Sequence, residues 1–96
     1  MNLKRERILD VLIDILKKIQ QDIVEKPERI NEETVPIGDL YNFDSLTSVE
    51  VTIEVLDALG FREFPSCPSL FINKKQMALT VGQVADIILK LNQERV

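Results

Sequence analysis

The stretch Phe43-Asp44-Ser45-Leu46-Thr47-Ser48-Val49-Glu50, FDSLTSVE, lies near the middle of a 96-residue chain and sets an acid, a serine and a leucine where a helix begins. Asp44 carries the short carboxylate that accepts a backbone N–H at a helix N-terminus. From there Leu46, Val49, Ile53 and Leu56 form one apolar stripe, and Val51, Val55 and Ala58 lie on a second side. A helix apolar on two sides packs between neighbours. Its remaining strip carries Glu50, Glu54 and Asp57 at steps of four and three, like charges gathered on one exposed face. Gly60, after Leu59, supplies the stop.

Two further helices flank this one. Upstream, Ile8, Leu12, Ile15, Ile19 and Ile23 recur every three or four residues, with Leu9 and Leu16 beside them and Asp10, Asp14, Lys17, Lys18 and Gln21 opposite. This predicts an amphipathic helix over about 3–24, ended by Pro27. Downstream, Thr80-Val81-Gly82-Gln83 matches a capping box, and Val81, Val84, Ala85, Ile88 and Leu91 form the stripe of a last helix ending near Asn92. Gly82 slightly weakens its first turn. Residues 25–43 read as a long loop, punctuated by Pro27, Pro36, Gly38 and Asn42. Its Ile30, Val35, Ile37, Leu40, Tyr41 and Phe43 are apolar enough to predict that it packs across the helices. Residues 61–79 are broken by Pro65 and Pro68, and LFINKKQMAL has room for one short helix. No segment alternates with a two-residue period. The expected fold is all-α: one domain over 1–96, a small bundle of three main helices plus a short extra one.

Composition narrows the chemistry. Hydrophobic residues are 45% and charged residues 29%, ordinary for a globular domain. A chain this long buries roughly two thirds of its unfolded surface, enough for one modest core. There is no His and one Cys, which excludes Ser-His-Asp and Cys-His catalysis and argues against a structural zinc site. No disulfide can close within the chain, the N-terminus MNLKRERILD is too charged for a signal peptide, and no run is long enough to span a bilayer. The expectation is a cytoplasmic monomer that is no enzyme and holds no metal. The net charge of −4 disfavours nucleic acid and favours partners with basic surfaces.

Three readings of Ser45 stand side by side. Asp and Ser in a helix's first turn are favoured for capping alone, and the dipeptide by itself supports that reading first. A catalytic serine lacks a base and the glycine-flanked elbow of a hydrolase. A modification site is chemically sensible, because helix-start N–H groups favour an attached phosphate, and the adjacent Asp44 could bind a metal brought by a modifying enzyme.

The ordered array Gly38-Asp39-Leu40, Asp44-Ser45-Leu46, Val49-Glu50, Leu59-Gly60, Phe64-Pro65 and Thr80-Val81-Gly82-Gln83-Val84 resembles the acyl carrier protein family over nearly the whole chain. The resemblance implies a bundle of three main helices with a short extra one. It implies that a phosphopantetheinyl transferase uses coenzyme A to attach 4′-phosphopantetheine to Ser45, beside Asp44, through a phosphodiester. The arm's thiol then carries acyl groups as thioesters to acyl-transferring or acyl-modifying enzymes of fatty-acid, lipid or specialised secondary-metabolite biosynthesis. Basic patches on those enzymes would dock on Leu46, Glu50, Glu54 and Asp57, with Leu46 as an exposed apolar contact rather than a core residue. A peptidyl or aminoacyl carrier, or an unmodified helical interaction domain of the same fold, are the alternatives.

The chain departs from the family pattern in three places. Tyr41-Asn42-Phe43 lengthens the approach to the serine and lacks the usual glycine, so Asn42 is expected in the left-handed turn. Thr47 and Thr52 make the docking face less acidic. The segment SCPSLFINKKQMAL, 66–79, is longer than usual and either reshapes the acyl-chain pocket or forms a different partner surface. Cys67 has no basic neighbour and reads as an incidental thiol.

Overall fold

A computed structural model describes residues 3–23, 29–40, 42–61 and 69–94. Four α-helices run in the order α1 (Arg5–Ile23), α2 (Pro36–Asp39), α3 (Ser45–Ala58) and α4 (Val81–Glu94). The described residues contain no strand, only an isolated antiparallel bridge between Ile72 and Ala78. Both α3 and α4 pack against α1. Ile8, Leu12 and Leu16 of α1, Val51, Val55 and Leu56 of α3, and Val81, Val84, Ala85 and Ile88 of α4 meet in one buried cluster.

Local chemistry sets the helix ends. Asp44 is extended and caps α3 by accepting the Thr47 N–H at 2.8 Å. At the other end Gly60, at φ +86°, turns the chain left-handed so that its own N–H donates to Asp57 O and the Phe61 N–H donates to Leu56 O. Leu56 and Phe61 are both buried at that corner. The capping box at α4 is reciprocal: Gln83 N–H donates to Thr80 Oγ1 at 3.1 Å, and Thr80 N–H donates to Gln83 Oε1 at 2.8 Å.

The loop between α1 and α3 completes the start of α4. The Val81 and Gly82 N–H groups donate to Thr34 O and Glu32 O at 2.8 and 2.9 Å. With Gln83 served by Thr80 Oγ1 and Val84 by Thr80 O, all four donors of that helix start have acceptors. Arg5 joins the same corner through Glu32 at 2.6 Å and Asp86 at 2.7 Å, and both carboxylates raise its pKa, Asp86 foremost. Gly82 sits in a tight corner: a Cβ would stand 3.2 Å from Arg5 Nη2 and 3.3 Å from Glu32 O, so a side chain there needs its neighbours to give by a few tenths of an ångström. The expected packing of the loop is seen in the burial of Ile30, Pro36, Leu40 and Phe43.

The short helix lies elsewhere than the LFINKKQMAL reading allowed. It is α2, inside the long loop, and it amounts to one turn: Ile37 and Gly38 leave helical geometry, with Gly38 at φ +117°. Residues 70–79 form a hairpin-like turn instead. Asn73 Oδ1 accepts from the N–H groups of Lys75 and Met77, and Gln76 sits at φ +64°. Asn73 supplies a local acceptor that competes with helix formation, while Phe71 and Leu79 anchor the two arms in the core.

Candidate functional site

Ser45 is the first residue of α3 and is exposed. Its neighbour Asp44 is exposed as well, and the bonds it accepts at the helix start, the Thr47 N–H foremost, hold its pKa below the ordinary 3.8. The turn that leads into this corner is tight. Asn42 takes the left-handed conformation at φ 55°, as its place in the sequence suggested, and Phe43 tucks into the core. The upstream Asp39 carboxylate accepts the Val35 N–H at 2.7 Å and braces the single turn of α2.

Downstream, Glu50, Glu54 and Asp57 are all exposed. Leu46, which the resemblance puts on the surface rather than in the core, is 70% exposed. The stripe drawn through Leu46, Val49, Ile53 and Leu56 needs correction: Ile53 is 50% exposed, Val49 is half-buried, and only Leu56 is in the core. The outer face of α3 therefore mixes apolar and acidic groups. Glu54 and Asp57 also line an open groove shared with Arg7, Asp10, Asp14, Lys17 and Lys18 of α1, where acidic and basic side chains mix.

Thr52, expected on the docking face, is instead buried, as is Ser48, one turn before it. The reason is a chain of hydrogen bonds to the segment 69–71. Ser69 Oγ donates to Ser48 Oγ at 2.8 Å, Thr52 Oγ1 donates to Ser48 O at 2.7 Å, and the Leu70 N–H donates to Thr52 Oγ1 at 3.0 Å. Ser48 Oγ in turn donates to Ser45 O at 2.6 Å, which ties the chain to the exposed serine's own backbone. These hydroxyls escaped the sequence reading because their partners are 18 and 21 residues away.

Phe64, Pro65 and Cys67 lie outside the described residues, as does Tyr41. No group of three or more metal-ligating side chains occurs among the described residues. No helix among them is long and apolar enough to cross a membrane. No family model, curated protein or solved structure matches the chain significantly.

Proposed function

We propose that this protein is a carrier of the acyl-carrier type, modified with 4′-phosphopantetheine at Ser45. The observation that carries the reading is an exposed hydroxyl at the first position of a 14-residue helix, directly after a capping aspartate, within the Asp-Ser-Leu triplet. Such a position fits the group: the Ser45 hydroxyl is open to another enzyme, and the start of α3 favours a phosphodiester's negative charge. The attached arm supplies a thiol on which acyl groups travel as thioesters. The chain itself supplies the attachment point and a surface to dock on.

That surface is the outer face of α3. Leu46 and Ile53 offer apolar contact, and Glu50, Glu54 and Asp57 offer charge to Lys- or Arg-rich patches on a phosphopantetheinyl transferase and on acyl-transferring enzymes. The exposed apolar pair also supports a second reading, an unmodified interaction domain that uses the same face. Incubation with coenzyme A and a broad-specificity phosphopantetheinyl transferase separates the two. The carrier reading expects intact mass to rise by one phosphopantetheinyl group, and Ser45→Ala to gain nothing. Unchanged mass in the unaltered protein would leave only the interaction domain.

A further inference from the structure

We infer that the cargo carried on Ser45 is a short or polar acyl group that stays outside the protein, because the wall beside the attachment point is a closed seam of hydroxyls. This rests on the carrier reading and narrows its substrate class. A long alkyl chain tethered at Ser45 is driven to leave water. One route into the core lies one turn along α3, where segment 69–71 meets the helix at Ser48 and Thr52.

That junction is held by polar pairs. Ser48, Thr52 and Ser69 are 0, 3 and 5% exposed. Ser48 Oγ donates to Ser45 O, Ser69 Oγ donates to Ser48 Oγ, and Thr52 Oγ1 bridges from the Leu70 N–H to Ser48 O. Ser69 Oγ also accepts the Phe71 N–H at 3.1 Å. Phe71 itself meets Phe43 edge-on, ring centres 5.4 Å apart. An alkyl chain entering between α3 and this segment would part these groups and leave buried hydroxyls and backbone N–H groups facing methylenes, which return no hydrogen bond. Among the described residues no buried side-chain nitrogen or oxygen lacks a partner, so the seam is satisfied as it stands. Hydroxyacyl, aminoacyl and short acyl groups have little to gain from opening it. They remain in water, available to the next enzyme.

The test loads the apo-protein with the transferase from butyryl-, octanoyl- and palmitoyl-coenzyme A, with unacylated holo-protein as reference and loading verified by intact mass. Amide spectra are then compared, and thioester cleavage by hydroxylamine is timed. The expected result is unchanged amide shifts at Ser48, Thr52, Leu70 and Phe71 for every chain length, with cleavage rates equal within twofold. Shifts at these amides that grow with chain length, or cleavage slowed severalfold for palmitoyl over butyryl, would overturn the inference while leaving the carrier reading intact. Failure of any coenzyme A derivative to add mass would overturn both, and is read before the spectra are taken.

Discussion

The Asp44 carboxylate accepts the Thr47 N–H at 2.8 Å, and this bond lowers its pKa in the folded chain. A lowered carboxylate binds its proton less readily when folded than when unfolded. Its contribution to stability is therefore complete above the ordinary value of 3.8 and disappears as pH falls through the lower folded one. Asp44→Asn keeps a capping oxygen but removes the titration. Urea midpoints measured across the acid range should fall less steeply for this variant than for the unaltered protein, and the two should run parallel near neutrality. A steeper acid decline in the variant would show that Asp44 is not the group responsible. The cap was legible in the sequence because its donor and acceptor are three residues apart, and the same locality made Asn42 readable as the left-handed turn. Ser45's exposure does not follow from the cap, since Val81, placed just as directly after the Thr80 cap, is buried under residues 32–34.

At the scale of the elements, α3 shows where periodicity misleads. Its most apolar line on paper, Leu46 to Ile53, faces mostly outward, and two hydroxyl residues face the core. Burying Ser48 and Thr52 is tolerable because both hydroxyls donate to carbonyls of α3 and accept from segment 69–71. Thr52→Val preserves shape and removes the acceptor for the Leu70 N–H. We expect a loss of about 1–3 kcal/mol in chemical denaturation, the usual cost of a buried donor left unpaired. Thr52→Ser, which keeps the oxygen, should give back most of the hydrogen-bond contribution and lose only a methyl group's packing. Equal stability of Thr52→Val and the unaltered protein would mean that the Leu70 N–H finds another partner. The helix ends read more faithfully than its faces did: the Thr80–Gln83 box and the Gly60 stop both stand where the local pattern put them.

For the whole molecule, the connections do as much as the helices. The loop before α3 gives Thr34 O and Glu32 O to the first turn of α4, and Arg5 of α1 reaches both Glu32 and Asp86 at that corner. The turn after α3 sends Phe71 into the core, fully buried and edge-on to Phe43. Phe71→Ala should cost about 3–5 kcal/mol, a large share of the 5–15 kcal/mol typical of a domain. The thermal transition should move down by many degrees, and the amides of Phe43, Ser48 and Thr52 should shift together, because Phe71 packs on Phe43 and anchors the segment whose Ser69 and Leu70 bond Ser48 and Thr52. A small local effect would show that the turn docks on the bundle independently of this ring.

The chain's own order determined what depends on near neighbours: the stretches that become the three long helices, the cap at Asp44, the stop at Gly60 and the box at Thr80. These rest on hydrogen bonds and backbone preferences spanning a few residues, so one local pattern carries each of them. The rotation of α3, the burial of Ser48 and Thr52, the place of the short turn α2 and the hairpin shape of 70–79 were decided only in three dimensions. Each of these depends on a partner brought near by folding, and a hydroxyl's preference for core or solvent is set by whether that partner arrives.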